Sequence, residues 1–383
     1  MMKTTAEMKD AEGIGIYIHI PFCVRKCLYC DFPSGPAESG RIRAYMDALV
    51  REIHMCGEEG TRADTVFIGG GTPSIVDVSL MENVFNELYR VFRVSPEAEI
   101  TMEANPGTLS EEKLFAYRQF GVNRLSIGLQ STDDRILRRL GRIHTCEDFI
   151  KSYGCARSAG FDNINVDLMF AVPGQSSEDW RRTLHSAASL APEHISAYSL
   201  IVEEGTPFSR MDLDLPDEDT EYRMYDDTAE ILAGYGYRQY EISNYALPGR
   251  ESRHNSAYWT GKDYIGFGLS AASLRRDERY RVTDDMEEYL VNAGNREKML
   301  ADRQELTDND RISEFMFLGL RMTGGISKTE FRNRFGHTVR EIYEPVIRKH
   351  KEYGLLCEEG DRIFLTRHGI HVSNQVMMDF LLS

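Results

Sequence analysis

Residues 17–32 read YIHIPFCVRKCLYCDF, an apolar, β-branched run that stops at Pro21 and opens straight into C-x-x-x-C-x-x-C. The run predicts a strand, and Cys23, Cys27 and Cys30 then fall within eight residues on the loop that leaves it. Three thiolates on one tight loop can take three irons of a cuboidal 4Fe–4S cluster, which four cysteines ordinarily hold. No fourth cysteine is near, since the position two after Cys30 is Phe32. The fourth iron is thereby left open to a small-molecule ligand. Structural zinc would want a second ligand pair, and His19, the one candidate nearby, sits mid-strand at the wrong spacing. A redox pair is more often C-x-x-C alone. Cys56, Cys146, Cys155 and Cys357 are scattered and read as packing residues.

Outward from that loop, residues 15–202 alternate short strand candidates with amphipathic helical stretches. The strands are IYIHI (from Ile16), TVFI (Thr65), EITME (Glu99), RLSIGL (Arg124), NINVDLMF (Asn163) and HISAYSLIV (His194). Between the first two, Ile42, Tyr45, Leu49, Val50 and Ile53 recur at helical spacing, and further helices are expected over 111–118, 146–159 and 178–190. Repeated strand-then-helix units predict an α/β fold with parallel strands, a partial (β/α)6 TIM-like barrel. In such barrels the loops after the strands carry the chemistry. Gly and Pro cluster there: Pro21, Gly69 to Gly71 with Pro73, Pro106 with Gly107, Pro173 with Gly174.

The expected organisation is a tail (1–14), the barrel (15–202), a mixed α+β segment (203–304) and a small winged-helix-like domain (305–383). The segment opens with an acidic stretch, 203–227, read as a solvated connection, and contains HNSAYW from His254. The last domain carries eleven Lys/Arg and twelve Asp/Glu, so it has no basic recognition face and reads as a scaffold or lid. With 383 residues the chain is too long for a single compact core. Its net charge of −16 argues against broad adhesion to nucleic acid or anionic lipid. No apolar run is long enough to cross a bilayer and the first residues lack a secretory pattern, so a cytoplasmic location is expected.

Polar residues stand where a strand core calls for Val or Leu. VFIGGGTPS (66–74) places Gly70, Gly71 and Thr72 at the end of the second strand, where backbone N–H groups suit a carboxylate. Glu103 in MEANPGT, Gln130 in RLSIGLQS and Asp167 in NINVDLMFAVPGQ close or occupy the next three strands, and Arg142 follows in LGRIHT. His144 reads as a packing or surface residue.

With its Tyr29 before the last cysteine, the loop resembles the radical S-adenosylmethionine (SAM) superfamily, whose members chelate the open iron with the methionine part of SAM and split it to a 5′-deoxyadenosyl radical. Over nearly the whole chain the motifs are similar to the HemN/HemW branch, which holds oxygen-independent coproporphyrinogen III oxidase and a related haem chaperone. The resemblance implies that Tyr17, Gly70 and Glu103 contact cluster-bound SAM. It implies that Tyr29, Gly71, Thr72, Gln130, Arg142 and Asp167 match a second SAM-binding set in the oxidase. Phe32, where the oxidase pattern has a further Cys, the short N-terminal extension and the H-N-x-x-Y-W pattern at His254 all point to the chaperone side, with His254 as a haem ligand. Ala272, in GFGLSAAS where chaperone-type chains carry His, resembles the oxidase instead. The resemblance therefore implies a 4Fe–4S cluster, SAM and haem as cofactors. Its partners would be haem or another tetrapyrrole, a haem-accepting protein, a reductant such as flavodoxin or ferredoxin, and the membrane at most through the recipient. Oxidative decarboxylation of coproporphyrinogen III is the alternative.

Overall fold

The computed structural model describes residues 13–382. Nearly all of the expected tail thus lies outside the described residues. Six parallel strands form the centre: β1 (Ile14–Ile20), β2 (Arg62–Gly70), β3 (Arg93–Ala104), β4 (Arg124–Gln130), β5 (Ile164–Phe170) and β6 (His194–Ser199). Each connection carries helix: α1 (Ser39–His54), α2 (Val78–Val91), α3 (Glu111–Gln119), then α4 (Asp134–Arg139) with α5 (Cys146–Ser158), and α6 (Ser177–Ser189). The strands and the helices α1, α3, α5 and α6 lie where the sequence pattern puts them; α2 and α4 were not anticipated.

Strict alternation sorts the strand residues. Ile14, Ile16, Ile18 and Ile20 are buried in one core with Tyr45, Leu49 and Ile53 of α1, so that face of β1 looks outward to the helices. Tyr17 and His19 take the other face. The same phase puts Glu99, Thr101 and Glu103 of β3, Arg124 and Ser126 of β4, Asn165 and Asp167 of β5, and His194, Ser196 and Tyr198 of β6 on the inner face. That face is held by side-chain hydrogen bonds. Asn165 donates to Asp167 (2.7 Å) and to Ser126 (2.8 Å), and its carbonyl oxygen lies 2.6 Å from Nδ1 of His194.

The segment after β6 completes the barrel instead of standing apart. The acidic stretch expected as a connection becomes a helix in its second half, α7 (Glu218–Gly234). Asp217 caps it by accepting from the Thr220 N–H, and Glu218, Asp219 and Glu221 lie in its first turn, where acidic side chains oppose the helix dipole. Trp180 of α6 donates to the Met224 carbonyl and so clamps α7 onto the barrel. Strands β7 (Arg238–Glu241) and β8 (Asn244–Ala246) then pair antiparallel beyond β6. A short helix, α8 (Arg253–Trp259), precedes β9 (Tyr264–Phe267), which pairs parallel with β1. Strands β10 (Ala272–Arg275), β11 (Glu278–Val282) and β12 (Leu300–Glu305) extend that side, with α9 (Met286–Asn292) between the last two. One twelve-stranded sheet results, in the order β12-β11-β10-β9-β1-β2-β3-β4-β5-β6-β8-β7, and neither end of the parallel set is left unpaired.

The chain then builds α10 (Asp308–Gly319), β13 (Ile326–Ser327), α11 (Lys328–Phe335), α12 (Val339–Glu352), β14 (Leu356–Glu359) and β15 (Arg362–Leu365), followed by α13 (Arg367–His371) and α14 (Ser373–Met378). The three strands form a separate antiparallel sheet, β13-β15-β14, over a core of its own that includes Met316, Phe331, Tyr343 and Ile363. Helix, strand, two helices and a hairpin is the winged-helix arrangement expected.

Glu52 locks β9's exit to α1. Its carboxylate is fully buried and accepts from Gly268 N–H (2.8 Å), Tyr289 hydroxyl (2.9 Å) and Arg296 Nη1 (3.1 Å). Glu52→Ala strips three donors of their acceptor and leaves a guanidinium uncompensated, so it is expected to cost about 3–5 kcal/mol. Urea unfolding of variant and parent measures this, and a loss below about 1 kcal/mol contradicts it.

Candidate functional site

The cysteine loop leaves β1 and is pinned at its base. Gly35 N–H donates to Pro21 O (3.0 Å) and Cys23 N–H to Gly35 O (2.9 Å). Across the mouth, Leu28 N–H donates to Leu140 O and Phe208 N–H to Leu28 O, both at 3.1 Å. Cys23, Cys27 and Cys30 are partly buried and, like the other four cysteines, free. Burial raises the thiol pKa of Cys30. Among the described residues no three Cys, His, Asp or Glu side chains converge as single-ion ligands. A cubane asks for something else, because each cysteine binds a different iron and the ligands surround the cluster. The sulfurs already accept hydrogen bonds, from Thr72 Oγ1 to Cys23 (3.6 Å) and from Arg142 Nη1 to Cys27 (3.5 Å), while the Phe32 backbone and the Ser34 side chain serve Cys30.

Beside the loop, the end of β2 forms a cradle. Gly70 has φ +108°, and a Cβ on it would lie 2.4 Å from the His19 ring. Only glycine fits there. Its N–H donates to Glu103 Oε2 (2.9 Å), and a Cβ on Gly69 would strike the same carboxylate. Burial, and then the Asp167 carboxylate, push the Glu103 pKa up to about 7, against the opposing pull of the Gly70 N–H and the Arg124 guanidinium. Tyr17 hydroxyl lies 2.9 Å from His19 Nδ1. On β4, a bulge between Gly128 and Gln130 turns Gln130 to φ +64° and buries its Oε1 without a hydrogen-bond partner. A strained backbone carrying an unsatisfied amide at a strand end is a ligand-facing arrangement. Thr72, Arg142 and Gln130 thus gather at one mouth with the cysteines and Glu103. Asp167 sits one level deeper, bonded to Ser126 and Asn165. Tyr29 packs with Leu28 and Tyr198 in a small apolar cluster beside Arg142. His144 is buried against Leu129 O, a packing residue as expected.

A cavity of about 680 Å³ opens from this mouth. Tyr17, Gly70 and Glu103 line it together with Phe67, Tyr258, Trp259 and Tyr264, and the Tyr17 and Phe67 rings stack with centroids 6.2 Å apart. His254 is in the wall, with a hydroxyl beside each ring nitrogen. Thr65 Oγ1 lies 2.8 Å from its Nδ1 and Tyr258 hydroxyl 2.9 Å from its Nε2, so in this conformation both nitrogens have hydrogen-bond partners. Burial, followed by repulsion from Arg124, lowers its pKa to about 3. The backbone N–H groups of Arg253 and His254 both donate to Glu99, each at 3.0 Å. The H-N-x-x-Y-W helix is therefore docked into the barrel on a buried carboxylate, and in this conformation His254 serves to close the barrel.

Known proteins resemble this arrangement closely. Residues 17–187 match the radical SAM superfamily and residues 306–372 the HemN C-terminal domain. Over 95% of the chain and 98% of the relative, it is 37% identical to the heme chaperone HemW of Bacillus subtilis (strain 168). It is 33% identical to the heme chaperone HemW of Escherichia coli (strain K12), over 98% of the chain and all of the relative. The chain belongs to the HemW family. The crystal structure of the coproporphyrinogen III oxidase HemN from Escherichia coli superposes with a TM-score of 0.86, covering 96% of this chain and 90% of that one at 23% identity, and shows the shared fold. The resident cofactors of a radical SAM protein are a 4Fe–4S cluster and SAM. The three thiols, the glycine cradle and the unpartnered Gln130 amide oxygen fit both.

Sequence reading missed Glu99, Asn105 and Arg124 beside these HemW-family residues. The period of two in Glu99-Thr101-Glu103 was the available signal for Glu99; Asn105 had none beyond its place before Pro106.

Glu103 also gives a pH signature. A carboxyl whose folded pKa lies above its ordinary 4.5 keeps a proton that the unfolded chain has released, so stability falls as pH rises from about 4.5 to about 7. Glu103→Gln removes that loss. The cofactor-free variant is expected to melt a few degrees above the parent at about pH 8, with the gap closing near pH 4. Equal melting temperatures at both pH values contradict the assignment.

Proposed function

We propose that this chain is a haem chaperone of radical SAM type. It holds a cluster on Cys23, Cys27 and Cys30, SAM against Gly70, Glu103 and Tyr17, and haem in the adjoining cavity, from which haem passes to a haem-dependent recipient. The observation that carries this reading is one shared opening. The cradle for a charged amino acid and an apolar, aromatic-walled space for a flat macrocycle meet at Tyr17, Gly70 and Glu103. When bound, the cluster supplies a low-potential electron; the protein's own part is to position SAM and keep water from it. Gln130, Arg142, Thr72, Gly71, Tyr29 and Asp167 are proposed to line the remainder of the SAM-binding mouth.

The reductant is a small one-electron donor of flavodoxin or ferredoxin type, reaching the loop from its exposed Val24 and Arg25 side. No helix among the described residues is long and apolar enough to cross a membrane, so contact with one would run through the recipient.

Anaerobically reconstituted protein is expected to take up haem in stoichiometric amount and to leave coproporphyrinogen III unchanged in the presence of SAM and reductant. Formation of the decarboxylated product replaces the carrier reading with the oxidase one. In the same titration His254→Ala is expected to keep the Soret position of the parent, because His254 closes the barrel. Loss of a histidine-ligated spectrum in that variant, together with tighter binding in Tyr258→Phe, returns His254 to the iron.

A further inference from the structure

The sulfurs of Cys23 and Cys27 are joined by a continuous polar chain with Asn105 at its centre. Thr72 Oγ1 donates to Cys23 Sγ and itself accepts from Asn105 Nδ2 at 2.7 Å. At the other end of the same amide, Asn105 Oδ1 accepts from Arg142 Nη2 at 2.6 Å, and Arg142 Nη1 donates to Cys27 Sγ. Arg142 Nη2 is further held by Gly128 O at 2.7 Å, and a Cβ on Gly128 would lie 2.9 Å from that nitrogen. The chain therefore runs Cys23, Thr72, Asn105, Arg142, Cys27, through the ends of β2 and β3 and the loop after β4. The amide gives to the hydroxyl through its N–H and receives from the guanidinium through its oxygen at once.

The backbone around Asn105 is built to hold it there. A residue before proline is driven to extended conformation, and Asn105 precedes Pro106. Thr108 N–H donates to Asn105 O (3.2 Å) across Pro106 and Gly107, with Gly107 at φ +81°, which makes a type II turn. Thr108 Oγ1 also donates to that carbonyl at 2.6 Å. The side chain is thus carried on a rigid turn and not on a mobile loop.

We infer that Asn105 is a positioning residue that sets the reduction potential of the cluster by aligning Thr72 and Arg142 as donors to two of its three cysteine sulfurs. An added electron makes the cluster and its thiolates more negative, and donors fixed on the sulfurs stabilise that state and raise the potential. Removing the aligning amide lets Thr72 turn its hydroxyl elsewhere and frees one edge of the Arg142 guanidinium. The potential then falls. This inference rests on the proposed three-cysteine 4Fe–4S site but asks nothing about haem.

The test is a redox titration of anaerobically reconstituted parent, Asn105→Ala, Thr72→Val and Arg142→Lys proteins, followed by visible absorption and by EPR of the reduced cluster, with iron counted on each sample. In Asn105→Ala the reduced-to-oxidised ratio at a fixed potential is expected to fall about tenfold, which for one electron is about 59 mV. Thr72→Val breaks the chain one link further on while keeping the turn, so its shift must have the same sign. Asn105→Ala combined with Arg142→Lys must shift less than the sum of the two single changes. An unchanged potential in Asn105→Ala at parental iron content overturns the inference, as does strict additivity of the pair. If Asn105→Ala loads no iron, an unshifted Thr72→Val overturns it instead. A parent that takes up no cluster defeats the site assignment itself, a distinct outcome.

Discussion

Three carboxylates, Glu99, Glu103 and Asp167, lie on the inner face of a barrel whose outer face is solid hydrocarbon, and each must find donors there or lose its charge. Glu99 takes the first two N–H groups of the plug helix. Asp167 takes Ser126 and Asn165. Glu103 takes the N–H of Gly70 and keeps a raised pKa because that single bond and the Arg124 guanidinium do not offset its burial beside Asp167. Burying charge is expensive unless it is paired and hydrogen-bonded. The least satisfied of the three is the one at the mouth, where the amino group of a bound amino acid would complete it.

The polar inner face changes in character from bottom to top. At the bottom the polar face is closed by α8, with His254 held between Thr65 and Tyr258. In the middle Asn165, Ser126 and His194 form a saturated network. At the top the network frays on purpose: Gln130 has an orphaned amide oxygen on a strained backbone, and Thr72 and Arg142 reach the cysteine sulfurs. Rigid strand ends thus carry the polar groups that face the mouth, the usual way a barrel scaffold is given a site.

The strand pattern and the cysteine spacing were legible in the sequence because each is a local signal. The alternation at Ile16, Ile18 and Ile20 names a strand with no tertiary knowledge, and three cysteines within eight residues need no fold to be noticed. The acidic stretch was misread because Asp217, Glu218 and Asp219 look the same in a solvated connection as at a helix start, and the Trp180 clamp that decides between them comes from a distant helix. His254 shows a related limit. A histidine beside aromatic residues suggests a ligand, and only the structure shows Thr65, 189 positions away in sequence, occupying one of its nitrogens. Asn105 shows the same limit from the other side, since its importance lies wholly in which two loops it joins.

The account stands on a cubane with three protein thiolates and one corner left for SAM. Mössbauer spectroscopy of protein reconstituted with iron-57 examines that corner directly, because the isomer shift of an iron changes with its ligands. Adding SAM is expected to separate one iron in four, its shift raised by nitrogen and oxygen coordination, while the three cysteine-bound irons stay as they were. Four irons that remain alike with and without SAM, or material that binds zinc in place of iron, would contradict it.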